Sequence, residues 1–423
     1  MFFDRREFLV SASTLAAQLG LSGFMIEKSI IASAQALNPD DKDHFFVLYR
    51  TQGGLDVTLG LDPQIHHGGL DQNDVFLEYS PDEIIRSGEI KLGPSAAPLE
   101  LFAKDISVVN GIFMSSADLG HDVGNNYISS GTPRTNPASF PFSLGLQKGT
   151  GPLGVVLGGA RSVQGQTNGL LVSSAKSILD GQFASNNDSA SKAASRIAGT
   201  QNSSSEFARS QKALVETQNI EPVLKRTLDK MRQQTQFITD AHAIAAAFVS
   251  GAAKQAEVST DFNNNIDSHG SHEGNHKQAQ LQVWTQVSDM FNVFKNLPYK
   301  KKTLFDHTTF LVISEFSRTP ALNGNNGKDH NNLTNSVLLA GKGINSNKTF
   351  GKSVVISRRR TPGGMPIHMG APFDIKTGGP GQTKENSMLL KPENLAASVQ
   401  VIFNNYSPRS GGTAFPIPGL AKI

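Results

Sequence analysis

Five short runs of consecutive apolar residues constrain this chain more than any other feature. They are His44-Phe45-Phe46-Val47-Leu48-Tyr49, Ile106-Ser107-Val108-Val109, Leu153-Gly154-Val155-Val156-Leu157, Thr309-Phe310-Leu311-Val312-Ile313 and Ser336-Val337-Leu338-Leu339. A strand with one wet face alternates apolar and polar residues; a strand covered on both faces does not, and runs of this length are too short for helices. A sixth, weaker strand is predicted at 256–260. Helical patterns lie between the runs. Leu224, Leu228, Met231 and Ile238 recur at helical steps within 205–250, and Val283, Val287, Met290 and Phe294 do so within 276–297. The alternation predicts an α/β fold with a mostly parallel sheet flanked by helices.

At 423 residues the chain exceeds one simple domain, so an elaborated core with an insertion is expected. Residues 172–210 are rich in Ser, Ala and Asn, and the stretch 160–250 is read as a flexible segment and helical insertion. The Gly- and Pro-rich stretch 358–381, which opens with Arg358-Arg359-Arg360, is expected to form surface loops with the arginines as a solvated face.

Residues 1–36 read as a twin-arginine export signal: Asp4-Arg5-Arg6-Glu7-Phe8-Leu9, an apolar stretch to Ile26, then Ala34-Gln35-Ala36 as a cleavage site. That places the mature chain, 37–423, in the periplasm or outside the cell. No later segment approaches eighteen consecutive apolar residues, so no transmembrane span beyond the signal is expected. The net charge of +3 and 18% charged residues give no electrostatic case for nucleic acid. Cysteine is absent, which leaves His, Asp and Glu as the strong metal donors.

Those donors cluster. Asp267-Ser268-His269-Gly270-Ser271-His272-Glu273-Gly274-Asn275-His276 is one group; Ser314-Glu315-Phe316-Ser317-Arg318-Thr319-Pro320, leading to Gly327-Lys328-Asp329-His330, is the other. Asp56 follows the first apolar run through Gly53-Gly54, His121 and Asp122 follow the second, and Glu315 leaves the fourth directly. In open α/β sheets ligands bind at the carboxyl ends of the strands, so these groups are expected on one edge. Taken alone, Asp56 reads equally well as a turn or helix N-cap residue, His276 as a residue that packs or caps the start of the helix at 276–297, and His242 as a core histidine. Glu315 at the exit of an apolar strand needs a cation, either Arg318 or a metal.

The ordered set Gly53-Gly54-Leu55-Asp56, Gly120-His121-Asp122 with Ser130-Gly131, Asp267-Ser268-His269, Ser314 to Pro320 and Gly327 to His330 resembles an exported family catalogued as domain of unknown function 1501, itself similar to the alkaline phosphatase and sulfatase superfamily. The resemblance runs from about 44 to 404 and includes Lys391-Pro392-Glu393-Asn394-Leu395-Ala396. It implies a site for one or two divalent ions, zinc, manganese or calcium, with Asp56, His121, Asp267, His269, His272, Glu315 and His330 as ligands and Arg318 as an oxyanion clamp. Two departures stand out. Counting back ten residues from Gly131, where the superfamily carries a hydroxyl nucleophile, gives His121; and Phe316 stands where a His would follow the acidic ligand. Either His121 supplies the missing metal nitrogen or its imidazole is itself the nucleophile, with Ser115 and Ser116 as remaining hydroxyls. The implied function is metal-dependent hydrolysis of a small-molecule phosphate or sulfate ester. The competing expectation is a non-catalytic exported binding or surface-assembly protein, with an exported protein as partner, that kept the fold and one metal.

Overall fold

The computed structural model describes residues 43–66, 68–133, 139–140, 154–157, 169–172, 223–233, 235, 238–251, 253–259, 266–374, 387–403 and 415–422. The export signal expected at 1–36 lies outside them, as do most of 172–222 and the end of the Gly/Pro-rich stretch at 375–386.

The apolar runs are strands of one sheet. In chain order these are β1 (Phe45–Thr51), β2 (Ile106–Asn110), β3 (Gly154–Leu157), β4 (Gly169–Val172), β5 (Gln255–Ser259) and β6 (Thr308–Ser314); a two-residue hairpin, β7 (Ser317–Arg318) with β8 (His330–Asn331), stands apart; β9 (Val337–Gly341) and β10 (Lys348–Gly351) complete the set. The sheet has eight strands in the order β10-β2-β9-β6-β1-β5-β3-β4. All pairings are parallel except those of β9, which runs antiparallel to both β6 and β2.

Burial on both faces explains the unbroken apolar runs. Phe45, Val47 and Tyr49 of β1 enter one core with α2 (Asp240–Val249) and α3 (Asn275–Asn296), while Phe46 and Leu48 enter a second core with α1 (His121–Ser130) and α4 (Pro392–Ile402). Helix α3 places Val283, Trp284, Val287, Met290, Phe291 and Phe294 in the first core, each contributing about 1.5–3 kcal/mol of burial. The stretch 160–250 belongs to this architecture where it is described. Strand β4 forms the sheet edge, Leu224 and Leu228 are fully buried, and Phe248 of α2 stacks on Phe45 with ring centroids 4.7 Å apart. Among the described residues of 205–250, helices run over 223–233 and Asp240–Val249, and His242 lies at the start of the second, bonded to Thr239 Oγ1 at 2.9 Å instead of filling the core. Arg358–Arg360 form a short turn, with Arg358 and Arg359 near Asp71. Among the described residues no helix is long and apolar enough to cross a membrane.

Because β9 runs antiparallel to β6, its start lies beside the end of β6, and the connection 315–336 never has to cross the sheet. That whole loop, with Glu315, Arg318, Lys328, Asp329 and His330, therefore stays over the carboxyl edge.

Candidate metal centre

Three strand exits meet at that edge. Strand β1 leaves through Gly53 and Gly54, whose φ values of +104° and +73° suit glycine. A Cβ at Gly53 would sit 2.8 Å from the Asp267 nitrogen, and one at Gly54 would sit 2.7 Å from the Phe316 ring, so neither position accepts a side chain. Strand β6 leaves into Glu315, whose Oε1 accepts from Gly53 N at 2.7 Å and whose Oε2 accepts from Ser314 Oγ at 3.1 Å. Helix α1 then begins at His121, directly above.

Two imidazoles and one carboxylate, His121, His330 and Asp267, share a common centre, with His269 at its outer side. His121 Nε2 is 3.4 Å from Asp267 Oδ2, His269 Nε2 is 3.3 Å from Asp267 Oδ1, and His269 Nε2 is 3.0 Å from His330 Nε2. Donor atoms of His121, Asp267 and His330 all lie within 4.8 Å of one another. Ligands held at zinc distances, about 2.0–2.1 Å from a four-coordinate ion, stand about 3.3 Å apart. The spacing is therefore that of a ligand set drawn around one small cation.

Two of the imidazoles, His121 and His269, are aimed from behind by a hydrogen-bonded carboxylate, and His330 has a more distant one. His121 Nδ1 is 2.6 Å from Glu315 Oε1, His269 Nδ1 is 2.9 Å from Asp329 Oδ1, and His330 Nδ1 is 3.4 Å from Asp118 Oδ1. A carboxylate on one ring nitrogen fixes the tautomer and leaves the other for a metal. Phe316, fully buried, is the floor beneath the group, its ring 4.1 Å from that of His330 and 5.0 Å from that of His121.

The charges are set accordingly. Burial would raise the Asp267 pKa, but Arg318, with help from His121 and His269, holds it below the usual carboxylate value. Burial and Arg318 keep His330 below its ordinary value, which suits a neutral ligand. For His121 burial acts downward, yet the hydrogen bond and charge of Glu315, joined by Asp267, carry it above 6.5. A metal arriving at His121 Nε2 would displace a proton.

Arg318 is not placed to clamp a substrate. It is fully buried, with Nε on Gly54 O at 3.2 Å, one terminal nitrogen on Lys328 O at 3.0 Å, and the other shared between Gly53 O and Asp267 Oδ1. Its fork pins the β1 exit and Asp267 together, so its role is positioning. Glu315 likewise is engaged with His121, Gly53 and Ser314 and supports a ligand instead of being one.

Asp56 and His272 also stand apart from the centre. Asp56, fully buried, caps the short helix Val57–Leu59 by accepting from Thr58 N at 2.9 Å and Thr58 Oγ1 at 2.6 Å; its other oxygen is 2.6 Å from Lys328 Nζ and 3.2 Å from His272 Nε2. The latter contact is not aligned as a hydrogen bond. Burial would raise the Asp56 pKa, and the Lys328 charge together with His272 and His276 outweighs it, holding the carboxyl well below the usual range. Ser268 Oγ links His272 Nδ1 at 2.7 Å and His276 Nδ1 at 2.9 Å, so the segment 267–269 sends Asp267 and His269 outward and anchors Ser268 inward. The capping reading of Asp56 was available from Gly-Gly-Leu-Asp; the Lys328 partner, 272 positions away, was not. Asp118 and Asp329, one exposed and one half-exposed, carried no apolar context that would have marked them.

The profile of the family described as Protein of unknown function (DUF1501) matches residues 125–368, more than half of the chain. That stretch holds Asp267, His269, Glu315, Arg318 and His330, and begins four residues after His121. No curated protein matches the chain. Among solved structures, the chain is similar to Ps i-CgsB in complex with k-i-k-neocarrahexaose, at 8% identity over 86% of this chain and 73% of that one with a TM-score of 0.31. It is also similar to the PH0037 protein from Pyrococcus horikoshii, at 10% identity over 72% and 87% with a TM-score of 0.22. Scores of that size carry no fold assignment.

Proposed function

The chain belongs to the DUF1501 family of proteins of unknown function, and we propose that it is an exported metal-dependent hydrolase of phosphate or sulfate esters, with an alkaline phosphatase or sulfatase-like core. The reading rests on one observation: donor atoms of His121, Asp267 and His330 lie within 4.8 Å of one another, with His269 Nε2 beside Asp267 and His330 and with His121 and His269 each bonded to a carboxylate from behind. Imidazole-rich donors favour zinc or manganese over calcium, which takes oxygen ligands. A divalent ion held there supplies Lewis acidity, polarising an ester oxygen and acidifying water beside it.

The residues themselves divide the remaining work. Asp267 and His269, 35% and 48% exposed, leave the outer side of the centre open to solvent and substrate. His121 has Nδ1 on Glu315 and Nε2 toward Asp267, so both nitrogens are engaged and water is the better nucleophile. Ser115 Oγ accepts from Ala117 N at 2.9 Å in an exposed loop before α1. Export rests on Arg5-Arg6 and the apolar stretch that follows.

A binding protein is the second reading, favoured by the same helix start: α1 opens with an imidazole where a hydroxyl nucleophile was expected. Elemental analysis of the purified chain, followed by aryl phosphate, phosphodiester and sulfate ester assays with added zinc or manganese, separates the two. Metal-dependent turnover lost in His330→Ala supports the hydrolase; bound metal with no turnover on any ester supports the binding protein; absence of bound metal refutes both.

A further inference from the structure

The polar residues at the carboxyl edge fall into two groups of different electrostatic character. The outer group holds the carboxylates of Asp267, Glu315, Asp329 and Asp118 against the guanidinium of Arg318 and the His121 imidazole, so carboxylates outnumber cationic groups. The inner group holds the Asp56 carboxylate and the Lys328 ammonium with two buried imidazoles, and the half-buried Glu78 carboxylate lies near enough to act on both charges.

Ser268 Oγ bridges the two imidazoles, 2.7 Å from His272 Nδ1 and 2.9 Å from His276 Nδ1. The Asp56 backbone N–H is shared between His276 Nε2 at 3.1 Å and Gln280 Oε1 at 3.0 Å, and His276 Nε2 itself lies 3.0 Å from Gln280 Oε1, so every polar atom of His276 is engaged within the fold. The Asp56 carboxylate and the Lys328 ammonium are 2.6 Å apart. Three of the contacts to Asp56 are hydrogen bonds from Thr58 N, Thr58 Oγ1 and Lys328 Nζ, and Lys328 also reaches Phe76 O at 3.3 Å.

Resting on the metal reading above, we infer that the centre is built for one divalent ion, with the Lys328 ammonium fixed where Asp56 and His272 would otherwise receive a second. A divalent ion entering the inner group would have to sit beside the buried Lys328 ammonium, which already holds Asp56 Oδ2, with no solvent to screen the repulsion. The outer group, where carboxylates outnumber cationic groups, has the excess negative charge that a divalent ion relieves.

Zinc stoichiometry tests this on the full chain, by elemental analysis and by native mass measurement during titration. One tightly bound ion is expected, lost in Asp267→Asn. The paired variant Asp56→Asn with Lys328→Met, which removes both buried charges together and so avoids stranding either, should still bind one ion with affinity changed by less than about two-fold. Two tightly bound ions in the unaltered chain, or loss of an ion in the paired variant, would overturn the inference and leave the metal reading standing. No bound ion in any form would refute the metal reading itself.

Discussion

Replacing Glu315 with glutamine isolates the part the buried carboxylate plays. The substitution keeps volume and one acceptor oxygen, so the Gly53 N–H at 2.7 Å retains a partner, but the charge behind His121 Nδ1 disappears. A hydrogen bond to a charged acceptor contributes about 1.5–3 kcal/mol against about 0.5–1.5 for a neutral one. Loss of such an outer partner typically lowers metal affinity about 10–100-fold, or roughly 1.4–2.8 kcal/mol at 1.4 kcal/mol per decade. Competition for zinc against a chromophoric chelator, at fixed pH and ionic strength, measures this directly. His121→Ala, which removes a ligand atom, provides the lower reference. Affinity within about two-fold of the parent chain would refute the positioning role. Affinity as low as that of His121→Ala would refute it differently, by making Glu315 a ligand.

Three further outcomes follow from the same contacts. Arg50 and Glu257 form a buried ion pair at 2.7 Å, with Ser139 Oγ on the second carboxylate oxygen, so Glu257→Gln should cost about 3–5 kcal/mol and lower the thermal midpoint by roughly 3–6 °C in calorimetry. Gly54→Ala, forced to φ +73° with its Cβ against Phe316, should destabilise the chain and weaken zinc binding together in parallel melts and titrations. Burial lowers His276 to about 3 and His368 to about 4, so both stay neutral in the fold while the unfolded chain takes up their protons below about pH 6.5. Stability should be complete above that pH and fall on acidification, offset in part by Asp62, which burial pushes up to about 6 and whose folded form gains a proton between pH 6 and 4. Thermal melts from pH 5 to 8 with a chelator present should show this slope; a flat profile would contradict it.

Strands were the legible part of the fold, because burial on both faces writes itself into sequence as unbroken apolar runs. The six predicted strands are all present, whereas β4 and β10, at the two sheet edges, were missed: Lys348–Gly351 carries one large apolar side chain, and Gly169–Val172 is apolar but only four residues long and opens with glycine. At the site, the sequence named the right segments and could not sort them. Asp267, Ser268 and His269 are consecutive, yet the serine belongs to one hydrogen-bonded group and its neighbours to another. Which way each side chain turns depends on Lys328, Arg318 and His276, all brought in through long-range contacts.

The antiparallel strand β9 is what makes one centre out of separate strand exits. Had β9 been parallel to β6, a crossover of a dozen or more residues would have carried the chain back to the opposite edge, and His330 would have had to reach the site from there. Instead 315–336 remain over one edge, where Arg318 ties Gly53 O, Gly54 O, Lys328 O and Asp267 into a single cross-brace. The brace joins the exit of β1, the segment 267–269 and the loop carrying His330, the three pieces whose separation sets the distances around the ion. Removing its charge would leave Asp267 without its guanidinium partner as well as unfixing the loop, so both ligand charge and ligand spacing depend on one buried side chain.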